Sequence, residues 1–334
     1  MMARSVRTLA LALTVLMLAA VALAGCSQPA SPASSAASQT TSAPAAVRIG
    51  TLPTEDSLPL WVAENRGYFA TQGVAKVEIV EFQSAQERDA AFASGAIDGF
   101  MGDIIAAANL TSAGKPNTIA TIMLGADQSQ GRFGIAVAPK STVTALSQLA
   151  NVPVGTSSAT IQELVLDGLM SEAGVASSSV KVEEVKKVPV RFQLLMGGQL
   201  KAAALPEPFL SLAEQGGAKV IADDTKSKAN LSQTVLVFSN DYLQKAGGAD
   251  TVAGILRAWD VAVNDINKAP EANRALLVEK AKLPKSLEAS YTINTYPLHQ
   301  LPTKADVDAV LAWMSAKGYL KTAVTYEQLT GQAK

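Results

Sequence analysis

Short apolar runs alternate with amphipathic segments along the chain from residue 47 onward. Val47–Thr51 predicts a strand, and apolar residues then recur at the spacing of one helix face until Gly73. Further strands are predicted at 76–82, 97–101 and 118–123, with helices at 85–93 and 104–112. Strands that alternate with helices in this way are typical of parallel sheets in the α/β class.

The same order of elements returns in the second half of the chain. Val152–Thr156 matches the strand at 48–51, and a predicted helix at 161–173 ends at Gly174 followed by valine, as at Gly73. Further strands are predicted at 180–185, 200–205 and 219–221, with helices around 192–196 and 209–215. Matching landmarks lie about 100 residues apart, far longer than a solenoid repeat, so the sequence predicts two similar lobes.

Two apolar segments are predicted to cross between these lobes. Phe133–Ala138 leaves the first half of the chain, and Thr234–Phe238 leaves the second. The predicted first lobe therefore consists of residues 47–137 and 235–334, and the predicted second lobe of residues 138–234. The tail is predicted to be mostly helical and to cover the first lobe, with helices at 251–267, 270–281, 304–317 and 326–332.

Residues 1–25 have the pattern of a bacterial lipoprotein signal peptide. Arg4 and Arg7 precede the uncharged stretch Thr8–Leu23, which is too short for a comfortable membrane span. It closes with Leu-Ala-Gly directly before Cys26, the only cysteine. We therefore predict cleavage before Cys26 and attachment of lipid to its thiol. The alternative is an ordinary signal peptide with an incidental cysteine.

The next segment, residues 26–46, contains mostly Ser, Ala and Pro and has no charged or aromatic residue. Such a composition buries too little apolar surface to offset the entropy of ordering, which indicates a flexible tether. A lipid site followed by a tether predicts a folded domain that is extracytoplasmic and anchored to the cell membrane.

Composition excludes several function classes for the remaining chain. Without residues 1–25 it has 26 basic and 29 acidic residues, which does not suggest a nucleic-acid surface. One histidine, His299, and no cysteine cluster make a transition-metal site improbable. We therefore expect no metal, no cofactor and no nucleic-acid partner, and a monomeric chain.

The candidate ligand site follows from the predicted sheets. Ligands of open parallel sheets bind beyond the carboxyl ends of the strands, where helix N-termini offer N–H groups and partial positive charge. Two facing lobes therefore hold a ligand between their strand-to-helix turns. The polar residues of these turns are the candidate ligand-binding residues: Asp56, Ser57, Gln83, Asp103, Thr156, Ser157, Ser158 and Glu207.

Several of these residues have a structural alternative. The hydroxyl-rich run Thr156–Thr160 offers donors to a polar or anionic ligand group, or caps a helix. Asp103 and Glu207 lie at nearly equivalent places in the two halves, so we predict that they grip amino or hydroxyl groups of a ligand. The alternatives are a helix-terminal charge for Asp103 and a lobe-closing hydrogen bond for Glu207. Arg132 is interpreted as exposed, and His299 as structural.

Three segments of the chain resemble the nitrate/sulfonate/taurine and thiamine-pyrimidine branch of the substrate-binding proteins of ABC importers. They read IGTLPTEDSLPLWVAENRGYFATQGV, ERDAAFASGAIDGFMGD and LMGGQLKAAALPEPFLSLAEQGGAKVIADD. The resemblance implies a two-lobed, hinge-closing, type II periplasmic-binding fold, with an ABC permease and its ATPase as partners. It also implies ligand contacts around Asp56 and Ser57, at Ser157 and Ser158, and near Glu207.

The resemblance does not specify the ligand, since members of this branch bind sulfonates, nitrate, bicarbonate, aminopyrimidines and other ring compounds. Asp56, Asp103 and Glu207 near the predicted cleft disfavour a small bare anion, because a buried carboxylate repels an anion unless it is protonated or bridged. We therefore prefer a neutral or amino-bearing organic molecule.

Taken together, these features predict a solute-binding protein that delivers a small organic molecule to an ABC importer by open–closed lobe movement, and not an enzyme. A relative of this fold makes the thiamine pyrimidine with a histidine and a cysteine-rich motif. This chain has only Cys26 and His299 of those types. The alternatives are an enzyme that works with Asp and Glu alone and a sensor that reports ligand to a membrane receptor.

Overall fold

The computed structural model describes residues 46–332. The first half of this part alternates strands and helices in the predicted order. Its elements are β1 (Val47–Thr51), α1 (Leu58–Asn65), α2 (Tyr68–Thr71), β2 (Val77–Glu81), α3 (Ala85–Ala93), β3 (Gly99–Asp103), α4 (Ile104–Ser112) and β4 (Asn117–Leu124). The 3-10 turn Glu55–Ser57 leads into α1.

The second half repeats this alternation. Its elements are β5 (Phe133–Val137), β6 (Pro153–Thr156), α5 (Ile161–Glu172), β7 (Lys181–Glu184), α6 (Val188–Met196), β8 (Ala202–Pro206), α7 (Phe209–Gln215) and β9 (Lys219–Asp223). Single 3-10 turns lie between some of them, at Leu146–Leu149, Ser177–Ser179 and Asp224–Lys226.

After the second half, the chain forms one more strand and then the helices of the tail. Its elements are β10 (Thr234–Ser239), α8 (Asn240–Leu243), α9 (Gly248–Lys268), α10 (Arg274–Lys280), α11 (Lys285–Glu288), α12 (Lys304–Ala316) and α13 (Tyr326–Thr330). The helix predicted at 270–281 begins as the 3-10 turn Pro270–Asn273. The predicted helical character of the tail is therefore confirmed.

Two five-stranded sheets share one plan. Their strand orders are β2-β1-β3-β10-β4 and β7-β6-β8-β5-β9. In each sheet the first three strands are parallel, and the fourth runs antiparallel to both of its neighbours. Gly50 lies opposite Phe100 in the first sheet, as Gly155 lies opposite Ala203 in the second. The predicted α/β fold with two similar lobes is confirmed. We call the part around the first sheet lobe 1 and the part around the second lobe 2.

One predicted boundary between the lobes is wrong. The predicted first lobe includes Phe133–Val137, but β5 pairs with β8 and β9 and so belongs to the sheet of lobe 2. The later strand β10 pairs with β3 and β4, so it belongs to the sheet of lobe 1. Four of the five residues of β5 are buried, as expected for a central strand in either sheet. Its apolar sequence therefore does not show which sheet it enters.

Helices cover both faces of the lobe 1 sheet. Because the side chains of a strand alternate between its two faces, alternate residues of β10 pack against different helices. Leu236 and Phe238 of β10 join the core cluster formed with α1 and α9. Val235 and Val237 of the same strand join the cluster formed with α4 and α12. Since α9 and α12 belong to the tail, the tail covers lobe 1 as predicted.

The predicted signal peptide at residues 1–25, the lipid site at Cys26 and all but the last residue of the tether at 26–46 lie outside the described residues. Within residues 46–332, none of the helices combines the length and apolar character needed to cross a membrane.

Candidate functional site

A cleft lies between the carboxyl ends of the parallel strands of the two lobes. It encloses about 840 Å³ not occupied by protein atoms, including its open mouth. Leu52–Asp56, Arg88 and Asp103 line it from lobe 1, and Ser157, Ile161 and Glu207 line it from lobe 2. A molecule held there therefore contacts both lobes.

Five of the eight candidate residues line this cleft. They are Asp56, Gln83, Asp103, Ser157 and Glu207. The other three, Ser57, Thr156 and Ser158, are not among its lining residues. The Ser57 hydroxyl donates to the Leu52 carbonyl oxygen at 3.3 Å, inside its own loop. The buried Thr156 hydroxyl lies 3.4 Å from the Arg191 guanidinium.

Asp56 lies on the first loop of the chain, between β1 and α1. Its side chain accepts a hydrogen bond from the Thr54 hydroxyl at 2.6 Å, and it is 6 % exposed. Burial raises the pKa of the Asp56 carboxyl, while hydrogen bonds and the Arg88 guanidinium oppose that rise. A loop that displays a buried carboxyl group at the cleft suits a ligand that donates hydrogen bonds.

Glu55, which we did not single out from the sequence, ties this loop to the tail. Its carboxyl group accepts hydrogen bonds from the Tyr291 hydroxyl and the Asn294 amide, and its carbonyl oxygen accepts one from the Tyr296 hydroxyl at 2.7 Å. Burial raises the pKa of Glu55 to about 8, against the effect of the Tyr291 hydrogen bond. Hydrogen bonds from the segment 291–296 therefore hold the first loop in place at the wall of the cleft.

Asp103 joins the two lobes. Its Oδ1 caps α4 by accepting from the Ala106 N–H at 2.7 Å, and its Oδ2 accepts from the Ile161 N–H of α5 at 3.4 Å. Burial raises the pKa of this carboxyl, and the Arg88 guanidinium opposes the rise. The predicted alternative of a helix-terminal charge is therefore observed for Asp103, together with a bond between lobes.

The hydrogen-bonding groups of Ser157 and Ser158, in the hydroxyl-rich run ahead of α5, are already bonded to other side chains of the protein. Ser158 donates to Glu184 Oε2 through its N–H at 2.9 Å and its hydroxyl at 2.8 Å. The Ser157 hydroxyl donates to Glu184 Oε1 at 3.2 Å and accepts from the Gln86 amide of lobe 1 at 2.7 Å. On lobe 1, the Gln83 N–H donates to Glu87 at 3.2 Å and its side chain to Glu81 at 2.9 Å.

Glu207 forms an ion pair with Arg132 within lobe 2. The Arg132 Nη1 lies 3.1 Å from Glu207 Oε1 and 2.8 Å from Glu214 Oε2. Glu207 also accepts from the Ser211 N–H at 3.1 Å, and burial raises its pKa. Arg132 is 27 % exposed in its side chain and lines the cleft, so its interpretation as an exposed arginine is wrong. The lobe-closing alternative for Glu207 is not observed, because its described bonds stay within lobe 2.

Two buried arginines occupy equivalent positions in the lobes, and sequence reasoning missed them. Arg88 in α3 and Arg191 in α6 each lie four residues after the N-cap of their helix. Arg88 donates to the Met101 carbonyl oxygen at 2.9 Å and to Asp89 at 2.7 Å. Burial lowers the pKa of Arg191 to about 9, and its Nε and Nη2 have no hydrogen-bond partner among the described residues.

The signal that could have identified this pair is the glycine at the matching position of β1 in lobe 1 and β6 in lobe 2. A Cβ atom added at Gly50 would lie 3.3 Å from Arg88 Cγ, and one added at Gly155 would lie 3.5 Å from Arg191 Cγ. The matched Gly-Thr pairs of β1 and β6 therefore mark the position where the aliphatic part of each arginine side chain packs against the strand.

A family model described as the NMT1-like family matches residues 40–281 of the chain. The chain belongs to this family. The match covers both sheets, the cleft and α9, and leaves α11, α12 and α13 outside it. No curated protein sequence matches the chain.

Solved structures share the fold of this family member at low sequence identity. The periplasmic aliphatic sulphonate-binding protein of Escherichia coli has a TM-score of 0.70 and 21 % identity, over 87 % of this chain and 93 % of that protein. The periplasmic nitrate-binding protein of Synechocystis PCC 6803 has a TM-score of 0.69 and 15 % identity, over 84 % and 83 %. A Candida albicans protein described as having the generic periplasmic binding protein fold has a TM-score of 0.58 and 15 % identity, over 71 % and 79 %. The fold is therefore that of the periplasmic binding proteins, as predicted.

No group of three or more His, Cys, Asp or Glu side chains within residues 46–332 is arranged to hold a metal ion. His299 pairs with Asp260 at 2.5 Å, is half exposed, and is not among the residues that line the cleft. Among the carboxyl groups of the cleft, Asp103 caps α4, Glu207 pairs with Arg132, and Glu55 and Asp56 accept hydrogen bonds from neutral side chains.

Proposed function

We propose that this NMT1-like protein is an extracytoplasmic solute-binding protein that captures a small organic molecule and delivers it to an ABC importer. The observation that carries the proposal is the cleft itself, since its walls come from both lobes and combine apolar side chains with a few buried polar groups. Sites of this composition, placed between two domains, are typical of small-molecule binding. The named functions of the sulphonate- and nitrate-binding proteins with this fold support the same role.

Gating by lobe closure is part of the proposal. Three contacts join the lobes beside the cleft: Asp103 to the Ile161 N–H, Gln86 to Ser157, and the Lys187 ammonium to Glu87 at 2.9 Å. The exposed Lys187–Glu87 ion pair breaks at little cost. The tail of lobe 1 also holds α5 through Lys317, whose ammonium lies 2.9 Å from Glu163 and 2.8 Å from Asp167, so opening has to break or preserve these contacts as well. A ligand that bridges both lobes favours the closed form because it binds that form more tightly. The closed surface is then what the permease recognises.

Membrane attachment through Cys26 completes the proposed role. The tether at residues 26–46 holds the folded part near the membrane, where a monomer reaches the permease. Metabolic labelling with a radioactive fatty acid tests this point in a bacterial host. The wild-type chain is expected to take up label and to sediment with membranes, whereas Cys26→Ser takes up none. Equal labelling of the two chains would contradict the anchor.

The binding function is tested by thermal unfolding of the full chain in detergent against compounds of each charge class. A ligand at about 100 times its dissociation constant adds roughly 2.7 kcal/mol to the free energy of unfolding, which shifts the melting temperature visibly. One compound that stabilises the protein and is recovered chemically unchanged is the expected result. A compound that stabilises the protein and is consumed would overturn the proposal in favour of an enzyme.

A further inference from the structure

Glu163, in the first turn of α5, lies next to the cleft but is not among its lining residues. It is 2 % exposed, and its Oε2 accepts a hydrogen bond from the Ala159 N–H at 2.7 Å. Ala159 belongs to the short loop 157–160 between β6 and α5, and Ser157 and Thr160 of this loop line the cleft. Glu163 therefore holds the backbone of a loop whose side chains form part of the cleft wall.

This hydrogen bond supports a backbone conformation that alanine rarely adopts. The φ angle of Ala159 is +55°, in the left-handed region, where the Cβ atom of an L-residue crowds the following carbonyl oxygen. A residue in this region persists where the surrounding structure enforces its conformation. Bonds from Ser158 to Glu184 hold the preceding residue, and the bond to Glu163 holds the strained residue itself. The shape of the loop therefore depends on where the Glu163 carboxylate lies.

Two side chains of the tail hold that carboxylate. The Lys317 ammonium lies 2.9 Å from Glu163 Oε1, and the Tyr319 hydroxyl lies 2.9 Å from Oε1 and 2.7 Å from Oε2. The Lys317 ammonium also lies 2.8 Å from Asp167. Because residues four apart lie on one face of a helix, Glu163 and Asp167 present their carboxylates to the tail together. A buried carboxylate needs a cation or hydrogen-bond donors, and here the tail supplies both.

The tail segment that carries these side chains is fixed to lobe 1. Met314 of α12 is fully buried in the core cluster formed with α4. The Ser112 hydroxyl of α4 accepts from the Thr322 N–H at 2.8 Å and donates to the Thr322 carbonyl oxygen at 3.1 Å. In contrast, α5 packs into the core of lobe 2 through Leu166. The groups that hold the Glu163 carboxylate therefore belong to one lobe, and Glu163 belongs to the other.

We propose that Glu163 is a positioning residue that couples the cleft to the tail. Lys317 and Tyr319 of lobe 1 fix its carboxylate, and the carboxylate fixes the loop 157–160 of lobe 2. Movement of lobe 2 against the tail thereby changes the cleft wall from a position that a ligand does not touch. The regulatory meaning of this coupling rests on the function proposed above, because the loop lines the cleft. The coupling itself is a property of the ligand-free protein, so its failure leaves the solute-binding function standing.

Amide hydrogen exchange of the ligand-free full chain, measured by mass spectrometry, tests the coupling. Tyr319→Phe removes one hydroxyl from the Glu163 carboxylate and keeps the ring. It is expected to speed exchange in residues 157–161 by about three- to ten-fold and to leave exchange in β8 unchanged. Tyr326→Phe makes the same change in α13, where the ring packs against the lobe 1 core, and is expected to leave residues 157–161 unchanged. Wild-type exchange of the loop in Tyr319→Phe, or equal acceleration in β8, overturns the coupling.

A double variant shows whether the tail acts through Glu163. Glu163→Ala is expected to speed exchange in residues 157–161 by more than Tyr319→Phe does, because it removes the bond to Ala159 itself. Once Glu163 is replaced, Tyr319→Phe is expected to add no further change, since the two residues act in series. Lys317→Met removes the cation and is expected to speed exchange of the same residues at least as much as Tyr319→Phe does. Melting temperatures show that each variant is folded. Additive effects of Glu163→Ala and Tyr319→Phe overturn the assignment of Glu163 as the positioning residue.

Discussion

The carboxylate of Asp103 accepts a hydrogen bond from the Ile161 N–H across the cleft, at 3.4 Å. The same carboxylate caps α4 through the Ala106 N–H. One side chain thus fixes the start of a helix in lobe 1 and touches the start of a helix in lobe 2. The capping bond uses Oδ1 and the bond to the other lobe uses Oδ2. An asparagine keeps only one of these two acceptor oxygens and an alanine keeps neither, so the two substitutions test the two roles separately.

Asp103→Ala is expected to lower the free energy of unfolding by about 1–2 kcal/mol, since it removes an N-cap acceptor. Asp103→Asn keeps a capping oxygen and is expected to recover most of that loss. Urea denaturation followed by circular dichroism measures both changes. Asp308→Ala, on an exposed helix face, serves as the control and is expected to change stability by less than about 0.5 kcal/mol. Equal loss in the Ala and Asn variants would contradict the capping role.

The pKa of Glu55 predicts how stability depends on pH. Burial raises this pKa from 4.5 to about 8, with Glu207 and Asp56 adding to the rise and the Tyr291 and Asn294 hydrogen bonds opposing it. The folded state therefore holds a proton that the unfolded state releases between those values. Its contribution to stability is complete below about pH 4.5 and is lost as the pH rises to about 8, by up to about 1.4 kcal/mol per pH unit.

Glu55→Gln keeps the hydrogen-bonding shape and removes the titration. Denaturant titrations between about pH 5 and pH 8 are expected to show a smaller fall in stability for this variant than for the wild type. Glu64→Gln, which changes a carboxyl group on the surface of α1, is the matched control and should keep the wild-type slope. A Glu55→Gln variant with an unchanged slope would show that Glu55 is ionised in the folded protein.

Gly50 tests the close packing around the buried arginine of lobe 1. A Cβ atom at this position would lie 2.6 Å from Ile97 Cδ1 and 3.3 Å from Arg88 Cγ. Gly50→Ala is therefore expected to cost about 1–3 kcal/mol of stability. Ile97→Val removes the nearest atom, so the double variant should be more stable than the sum of the two single changes predicts. Strict additivity would show that the backbone yields instead.

Lys317, next to the end of α12, connects the tail to lobe 2. Its ammonium lies 2.9 Å from Glu163 and 2.8 Å from Asp167 of α5, and the Trp313 indole N–H also donates to Asp167. Lys317→Ala is expected to speed amide exchange in residues 161–172 by at least about five-fold, because it leaves the buried Glu163 carboxylate without its cation. Lys304→Ala, whose partner Asp308 is on the same helix, should leave that exchange unchanged.

Much of the fold could be predicted from the sequence because its local signals agree with one another. Apolar spacing, glycine stops and the matched Gly-Thr pairs at 50–51 and 155–156 all indicate the same repeated unit. The turns after the strands identified Asp56, Asp103 and Glu207 for the same reason, since strand ends in parallel sheets meet at one edge. These inferences need only neighbours in sequence and the rules of sheet topology.

The remaining features depend on contacts between distant residues. The carboxyl group of Glu55 meets Tyr291, which lies 236 positions away, and no local pattern indicates that contact. Arg88 follows Glu87 at the start of a helix and looks like an ordinary surface charge, yet it is 1 % exposed. The hydroxyl run at 156–160 offers donors in sequence, whereas in the structure Glu184, Glu163 and Asp103 use those at Ser158, Ala159 and Ile161.

The exchange of strands between the lobes sets the order in which the two sheets can be completed during synthesis. All five strands of the lobe 2 sheet lie between residues 133 and 223, whereas β4 of lobe 1 has β10 as its only neighbour in the sheet. As the chain is synthesised from its N-terminus, β3 and β4 form without β10 until more than 100 further residues have been added. Lobe 2 can therefore close its sheet first, and the half that emerges earlier is the last to be finished.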